Sequence, residues 1–241
     1  MYWVIKAILK PILKLVYRIR IEGLENLPKK GPAIIAANHL SFLDSFFIPL
    51  AVPRRKVTYL AKADYFKSWK TAWFFNMVGQ IPTEREGGQK SQQSLDIATE
   101  VLEQGNLLGI YPEGTRSPDG YLHRGRTGVA RLALKAGAPV IPCGLIGTTE
   151  VMPKDAKFPR LSGRLRVHVR FGKPIQVDRY AGRETDRVVL RSLTDEIMYE
   201  IMQLSGQEYK DEYASRKPSV PLPESSSTID EIDLSEEVLA G

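Results

Sequence analysis

The stretch "AIIAANHLSFLD" (residues 33–44) joins a short apolar run to a polar segment that carries a histidine and an aspartate. An apolar run of this length is typical of a buried strand, and the polar residues that follow it mark the end of that strand. Ser41 and Asp44 fit the S-x-x-D form of a capping box, which predicts that a helix begins there. The stretch therefore predicts a strand, a tight connection and a helix, with His39 at the connection.

Two interpretations of His39 and Asp44 are open at this stage. In the first, Asp44 only accepts hydrogen bonds from amides in the first turn of its helix. In the second, the Asp44 carboxylate holds the imidazole of His39 in one tautomer, so that the other ring nitrogen can take a proton from a hydroxyl group. The two roles of Asp44 are compatible with each other.

The rest of the chain alternates short β-branched runs with amphipathic ones. We expect strands at residues 33–37, 56–61, 78–82, 107–112, 139–146 and 165–172. We expect helices at residues 42–51, 65–76, 88–104, 126–136 and 184–204. This alternation indicates an α/β fold: a single domain with a mostly parallel, mixed central sheet flanked by helices. In such a fold, catalytic residues collect at the carboxyl ends of strands.

The N-terminal segment, residues 1–22, has the pattern of an amphipathic helix. Four basic side chains recur every four residues and would form one stripe beside a broad apolar surface: Lys6, Lys10, Lys14 and Arg18. These charges and Pro11 interrupt the apolar stretch, so a helix that spans a bilayer is not expected. We expect a membrane-associating helix that lies on the surface of the bilayer. The alternative is a helix that packs its apolar side on the domain.

Charge is distributed unevenly between the predicted domain, residues 23–210, and a predicted disordered acidic tail, residues 211–241. The chain carries a net charge of +6, and two basic and six acidic residues from residue 215 onward give −4, which leaves about +10 on residues 1–214. This charge favours phosphate-bearing substrates, an anionic lipid surface or nucleic acid. No nucleic-acid partner is expected, because the basic residues are not interleaved with aromatics in a recognisable binding motif.

Two further polar clusters follow predicted strands. In "YPEGTRS" (residues 111–117), Gly114 allows the backbone to approach a ligand closely, and Arg116 suits bidentate recognition of phosphate. The alternative for this cluster is a polar turn with an exposed arginine. In "GQIPTERE" (residues 79–86), Arg85 follows the end of another predicted strand. The one cysteine, Cys143, lies in the apolar run "PVIPCGLIG", which excludes a disulfide or cysteine-based metal framework and is consistent with a reducing compartment.

In this order and spacing, "NHLSFLDS", "GQIPTER", "YPEGTRS" and "VIPCGL" resemble the four sequence blocks of the phospholipid/glycerol acyltransferase family. The best-known bacterial members of that family are the lysophosphatidic acid acyltransferases. The resemblance covers roughly residues 30–146. The chain departs from the family pattern in the polar "TER" of the second block and in Cys143 after the proline of the fourth.

By position, the resemblance implies that His39 is the general base for the acceptor hydroxyl and that Asp44 orients it. It implies an acceptor-phosphate site at Lys62, Arg85, Glu113, Gly114, Thr115 and Arg116. It places Gly79 and Pro142 near the acyl donor. The segment "HRGRTG" (residues 123–128) is expected to add positive charge near the third block, because it is basic and leads into a helix whose N-terminus favours anions.

The resemblance further implies a peripheral enzyme on the cytoplasmic face of the cell membrane. It would transfer a fatty acyl chain from acyl-CoA or acyl-carrier protein to the free hydroxyl of 1-acylglycerol 3-phosphate, giving phosphatidic acid, with no cofactor and no metal. The sequence has no G-x-S-x-G elbow, so we expect direct attack on the thioester rather than a covalent acyl-enzyme. Backbone amides near Gly114 or Arg116 are candidates for stabilising the oxyanion.

Two alternatives to this activity remain open. The same chemistry could act on glycerol 3-phosphate, another lysophospholipid or a glycolipid, since the blocks determine chemistry better than acceptor identity. The chain could also be a basic membrane-binding module without catalysis. The sequence does not indicate an oligomeric state.

Overall fold

The computed structural model of the chain describes residues 2–62, 64–67, 72, 80–83, 88–154, 156 and 158–214. The strands within these ranges are β1 (Arg18–Glu22), β2 (Ala33–Ala37), β3 (Val57–Lys62), β4 (Ile81–Thr83), β5 (Leu107–Ile110), β6 (Leu122–His123), β7 (Val140–Ile146), β8 (Arg166–Phe171) and β9 (Tyr209–Lys210). The α-helices within them are α1 (Tyr2–Val16), α2 (Asp44–Ala51), α3 (Asp64–Lys67), α4 (Gly88–Glu103), α5 (Gly128–Ala136), α6 (Thr148–Val151) and α7 (Arg187–Ser205).

Seven of these strands form one sheet in the order β1-β8-β7-β2-β5-β3-β4, and β6 pairs with β9 separately. Neighbouring strands of the large sheet run parallel except β7 and β8, which are antiparallel. This topology confirms the predicted α/β fold with a mostly parallel, mixed sheet. Strand β2 lies between β7 and β5 and runs parallel to both. The segments that follow these three strands therefore leave the sheet at the same side, at the carboxyl ends of the strands.

Strand β2 is apolar along its whole length because both faces of the sheet are covered. Successive side chains of a strand point to opposite faces, and all five residues of β2 are buried. Ile34 and Ala36 belong to a core that includes residues of α4, α5 and α7. Ile35 and Ala37 belong to a second core that includes residues of α2. The centre of the sheet is therefore a rigid support for the residues that follow it.

The predicted strands and helices agree with the structure for most of the chain. Strand β2 has the predicted ends, and the ends of α2, α4, α5, α7, β3, β5, β7 and β8 lie within a few residues of the predicted ones. The predicted helix at 65–76 and strand at 78–82 extend into residues outside the described ranges. Strands β6 and β9 were not predicted, because two residues are too short to show a period.

The predicted end of the N-terminal helix was wrong. Helix α1 ends at Val16, and residues 18–22 form β1, which pairs in parallel with β8. The sequence "RIRIE" alternates charged residues with Ile19 and Ile21, which is the period of a half-buried strand. Arg18 therefore belongs to the edge of the sheet and not to the basic stripe of the helix.

The orientation of α1 also differs from the predicted stripe. The Lys6 side chain is buried, and its Nζ donates a hydrogen bond to the carbonyl oxygen of Val52, directly after α2. Burial, with a smaller contribution from the charge of Lys10, lowers the pKa of Lys6 to about 8. The hydrogen bond gives a partner to a carbonyl oxygen at the C-terminal end of α2. Lys6 thus attaches α1 to the domain.

The outward side of α1 is largely apolar. Large apolar side chains on it are about half exposed or more: Trp3, Val4, Ile8, Ile12 and Leu15. Leu13 and Val16 pack against the core, but the alternative in which the helix buries its apolar side does not describe the five exposed residues. Within the described ranges, no helix combines the length and the apolar character that crossing a bilayer requires.

The domain extends past its predicted end at residue 210. Ala214 is buried, and the carbonyl oxygen of Glu212 accepts a hydrogen bond from the Arg124 amide at 3.0 Å. Residues 215–241, most of the predicted tail, lie outside the described residues.

Candidate active site

The candidate site lies directly after β2, where the side chains of His39 and Asp44 meet. His39 Nδ1 and Asp44 Oδ2 are 2.9 Å apart. The Asp44 side chain is completely buried, whereas the His39 side chain is 15% exposed. An ionised carboxylate only accepts hydrogen bonds, so Nδ1 carries the proton and Nε2 presents its lone pair. No described residue hydrogen-bonds Nε2, which can therefore accept a proton from a substrate.

Asp44 also organises the connection between β2 and α2. Its Oδ2 accepts hydrogen bonds from the amides of Leu40 at 2.7 Å and Ser41 at 2.8 Å. The predicted capping box is half formed, because Ser41 Oγ donates to the carbonyl oxygen of Met152 at 2.8 Å instead of accepting from the Asp44 amide. The structure brings both interpretations together: one carboxylate oxygen shapes the turn and holds the imidazole.

The backbone of His39 is held on both sides by the segment that follows β5. The His39 amide donates to Glu113 Oε1 at 3.0 Å, and the His39 carbonyl oxygen accepts from the Ser117 amide at 2.7 Å. The two segments meet because β5 is the parallel neighbour of β2 and ends at the same edge of the sheet. The blocks "NHLSFLDS" and "YPEGTRS" therefore form one structural unit.

Glu113 supports this unit from inside the protein. It is completely buried, and its two oxygens accept hydrogen bonds from the amides of His39 at 3.0 Å and His123 at 3.1 Å. Burial raises the pKa of Glu113 to about 8, although both amide hydrogen bonds act in the opposite direction. A direct contact with the acceptor phosphate, as the resemblance implied, is incompatible with this burial. Glu113 instead positions the backbone of His39.

Two residues of the site were not identified from the sequence. The ring of Tyr111 stacks on the imidazole of His39, with ring centres 3.9 Å apart and planes 9° apart. Asn38 joins β2 to β7 through two hydrogen bonds with the backbone of Leu145, at 2.9 and 2.7 Å. Both residues lie within the quoted blocks, but each makes its contact with a distant part of the chain, so no local pattern indicates the role.

The outer side of the unit carries arginines. Gly114 has a φ of 78°, and a Cβ there would lie 3.0 Å from Arg126 Nε, so glycine suits both the left-handed turn and the close approach of this side chain. Arg126 is exposed, and its guanidinium lies 5.3 Å from the ring centre of Tyr213. Arg116 is partly buried and donates through Nη1 to the carbonyl oxygen of Lys154 at 3.1 Å.

The backbone amides near the third block differ in their availability. The Gly114 amide donates to the carbonyl oxygen of Tyr111 at 3.0 Å, which removes it from the candidates for an oxyanion site. The amides of Thr115 and Arg116 have no partner within the described part of the chain and remain candidates. Thr115 is also partly exposed beside the turn.

Of the remaining predicted site residues, only Pro142 has a side chain within the described part of the chain. Gly79 and Arg85 lie outside the described residues, and Lys62 ends β3 with its side chain likewise outside the description. Pro142 is buried inside β7 beside Ala36 of β2, and its carbonyl oxygen accepts the amide of Gly172 at 2.8 Å. Pro142 therefore supports the sheet beside β2, and its predicted place near the acyl donor stays a prediction.

The other nucleophilic and metal-ligating side chains are used structurally. Cys143 is completely buried, and burial raises the pKa of its thiol, so it lacks the features of a nucleophile. The ring nitrogens of His123 contact Asp119 Oδ1 at 2.8 Å and the carbonyl oxygen of Glu212 at 3.2 Å. Among the described residues, no group of His, Cys, Asp and Glu side chains could hold a metal ion.

Comparison with known proteins agrees with the resemblance of the four blocks. A family model described as Acyltransferase matches residues 18–146, which is more than half of the chain. The chain belongs to this acyltransferase family. It is 35% identical over 160 residues to a chloroplastic 1-acyl-sn-glycerol-3-phosphate acyltransferase of Arabidopsis thaliana, a match that covers 66% of this chain and 44% of that protein.

Two bacterial relatives match over a greater share of their length. The 1-acyl-sn-glycerol-3-phosphate acyltransferase of Bacillus subtilis is 26% identical over 200 residues, which cover 83% of this chain and 94% of the relative. The crystal structure of the 1-acyl-sn-glycerophosphate acyltransferase PlsC from Thermotoga maritima superposes with a TM-score of 0.67 at 25% identity, over 84% of this chain and 79% of that chain. This chain spans about half the length of the plant relatives that it matches.

Proposed function

We propose that this protein is a peripheral membrane enzyme that transfers a fatty acyl chain from an acyl thioester to the free hydroxyl of 1-acylglycerol 3-phosphate, giving phosphatidic acid. The observation that carries the proposal is the His39–Asp44 pair, with 2.9 Å between Nδ1 and Oδ2 and with no described residue hydrogen-bonded to Nε2. The names of the Arabidopsis, Bacillus and Thermotoga relatives support 1-acylglycerol 3-phosphate as the acceptor.

The geometry allows direct transfer without an acyl-enzyme. His39 Nε2 takes the proton of the acceptor hydroxyl while the oxygen attacks the carbonyl carbon of the thioester. In this proposal the amides of Thr115 and Arg116 stabilise the resulting oxyanion. The carbon–sulfur bond then breaks, and the leaving thiolate takes the proton from the imidazolium. The buried Asp44 carboxylate favours the imidazolium while it exists.

The acceptor phosphate would bind to the arginines outside this unit. Arg116 is held in place by the carbonyl oxygen of Lys154, and Arg126 lies beside the Gly114 turn. A guanidinium can form two parallel hydrogen bonds with a phosphate group, which makes both residues suitable. Lys62 and Arg85 remain candidates on the basis of the resemblance.

The donor and the location are part of the same proposal. The donor is acyl-CoA or acyl-carrier protein, since both present the thioester that the reaction needs. The enzyme would lie on a membrane, because both its acceptor and its product are lipids, and the cytoplasmic face of the cell membrane is the one that the family resemblance implies. The exposed apolar side of α1 supports attachment to a bilayer surface.

A thiol-release assay tests the activity. Acyl-CoA and acyl-carrier protein are supplied in turn, with and without 1-acylglycerol 3-phosphate, and the lipid product is identified by mass. We expect thiol release that depends on the acceptor, together with phosphatidic acid. A panel of glycerol 3-phosphate, other lysophospholipids and glycolipids tests the acceptor. Faster transfer to one of these acceptors would overturn the assignment of 1-acylglycerol 3-phosphate.

A further inference from the structure

The loop between α6 and β8 carries the second group of exposed apolar side chains near the N-terminal helix. We call residues 152–165 the basic loop. Phe158 and Leu161 at its centre are 81% and 75% exposed. Side chains of this size are costly to expose to water, so two of them at the tip of one loop indicate contact with another surface.

The basic loop lies beside the C-terminal end of α1. The hydroxyl of Tyr17, directly after α1, donates to the carbonyl oxygen of Arg160 at 3.0 Å. The amide of Arg18 donates to the carbonyl oxygen of Leu165 at 2.9 Å. These bonds hold the loop next to Leu15, which is 86% exposed. The loop that carries the exposed apolar pair is therefore attached at the end of α1 that carries Leu15.

The positive charge of the loop favours an anionic partner for this surface. From Met152 to Arg166 the sequence contains five basic residues, Lys154, Lys157, Arg160, Arg164 and Arg166, and one acidic residue, Asp155. The three arginines are exposed, and within the described residues none of them forms an ion pair. Exposed apolar side chains that lie between arginines in the sequence suit an anionic bilayer. The apolar side chains can enter its hydrocarbon layer while the arginines bind the phosphate groups above it.

The same loop contacts the candidate site. The Met152 carbonyl oxygen accepts the hydroxyl hydrogen of Ser41 at 2.8 Å, between His39 and Asp44 in the sequence. The carbonyl oxygen of Lys154 accepts from Arg116 at 3.1 Å. The beginning of the loop thus supports the residues of the site, while its centre carries the exposed apolar pair.

We propose that the basic loop is a second lipid-contacting element, which inserts Phe158 and Leu161 into an anionic bilayer next to α1. Arg160 and Arg164 bind lipid phosphate groups at the same surface. The loop thereby holds the open side of the site close to the lipid layer from which a lipid acceptor would enter. This inference rests on the proposed function for its substrate, but the lipid contact itself can be measured without any catalysis.

Co-sedimentation with vesicles tests the contact. The vesicles contain phosphatidylcholine alone or phosphatidylcholine with phosphatidylglycerol, and the variant is Phe158→Ser/Leu161→Ser. Val188→Ser/Tyr199→Ser is the matched control, since these residues are 76% and 56% exposed on α7, across the sheet. We expect about tenfold weaker binding to anionic vesicles for the loop variant and unchanged binding for the control. Arg160→Gln/Arg164→Gln should weaken binding only to anionic vesicles.

Each measurement is repeated in a Lys10→Gln/Lys14→Gln background, which weakens the electrostatic attachment through α1 and makes the contribution of the loop easier to measure. Equal vesicle binding of the loop variant and the control in both backgrounds would overturn the proposal. A change in self-association or in binding to another protein, without a change in vesicle binding, would assign this face to a protein partner and would also overturn it.

Activity gives a second measurement that separates the two proposals. Transfer to a long-chain acceptor in vesicles should fall at least about fivefold in Phe158→Ser/Leu161→Ser, in parallel with weaker attachment. Transfer to a short-chain, water-soluble lysophosphatidic acid should be unchanged, which a damaged site would not allow. If the wild-type protein transferred no acyl chain to either acceptor, the proposed function would fail, and the vesicle measurements would still decide the lipid contact.

Discussion

The connection after β2 and the N-terminal helix differ in which side chains they bury. The connection involves buried carboxyl groups, whereas the helix exposes large apolar side chains. At the connection and in the segment after β5 that packs on it, the carboxyl groups of Asp44 and Glu113 are completely buried and accept hydrogen bonds from backbone amides. On α1, Ile8 and Leu15 are 56% and 86% exposed. Burying an acid and exposing large apolar groups are both unfavourable for an isolated protein in water. The two arrangements support different parts of the proposal: the buried carboxylates support proton transfer by His39, and the exposed helix supports contact with lipid.

The strongest way to break this contrast is to remove the base. His39→Ala should reduce acyl transfer by about 10²–10⁴-fold, the usual effect of a lost general base, while the fold is retained. Turnover is measured by thiol release, and folding is checked by thermal unfolding. His168→Ala, on β8 and away from the site, is the control. A folded His39→Ala protein with near-wild-type turnover would rule out the mechanism.

Asp44→Asn tests whether one carboxylate serves both the turn and the base. We expect a loss of turnover of about 10²-fold, because the amide cannot stabilise an imidazolium as the carboxylate does. Stability should also fall by about 1–3 kcal/mol, since Oδ2 accepts from the amides of Leu40 and Ser41 as well as from His39. Denaturant unfolding measures the second effect, with Asp211→Asn, 72% exposed, as the control. Loss of stability without loss of turnover would leave Asp44 only its structural role.

Arg116→Ala and Arg116→Lys test phosphate binding at the rim of the connection. Both should reduce transfer to phosphate-bearing acceptors by about 10–100-fold, because lysine cannot reproduce the planar pair of hydrogen bonds. Transfer to a neutral acceptor should change much less. The comparison uses initial rates with the two acceptor types, and Arg131→Ala on α5 is the control. An equal loss with both types would show that Arg116 does not act on the phosphate.

Lys10→Gln/Lys14→Gln tests whether the basic residues of α1 bind an anionic bilayer. Each basic residue near an anionic bilayer contributes about 1 kcal/mol, so the pair should weaken vesicle binding by about thirtyfold at low salt. The exposed apolar side of α1 adds attachment that salt does not screen, so high salt alone should release the protein only in part. Co-sedimentation measures both effects, and Arg131→Gln/Arg187→Gln on the opposite helices is the control. Unchanged binding would remove these lysines from the lipid-contacting surface.

Lys6→Met gives the smallest effect and tests the attachment of α1. The pKa of Lys6 is about 8 in the folded protein, below its ordinary value of 10.5. Between these values the unfolded chain holds a proton that the folded protein has lost, so wild-type stability rises with pH relative to the variant. Between pH 7.5 and pH 9 the difference in unfolding free energy should grow by about 1 kcal/mol in favour of the wild type. A difference that is constant with pH would mean that Lys6 is not buried in solution.

Local patterns predicted most of the fold and the centre of the site. The apolar run of β2 and the capping signal at Ser41 and Asp44 identify a strand and a helix, because both patterns extend over neighbouring residues. His39 and Asp44 were predicted as a pair for the same reason. Glu113 was found, but its role was misjudged, since a residue type in a motif does not reveal its burial. Tyr111 was missed because its contact with His39 joins two segments that only the sheet brings together.

For α1, the sequence determined an amphipathic segment, and the tertiary structure decided which side faces outward. The spacing of apolar and basic residues establishes a helix with two unlike sides, since side chains four positions apart lie on one face. Whether Lys6 points to solvent or to the end of α2 depends on packing against a surface 46 residues away in the chain. Likewise, the order of strands in the sheet, which places the segment after β5 against His39, follows from long-range burial. Sequence periodicity records local geometry, whereas the contacts that build the site form only when distant segments exclude water together.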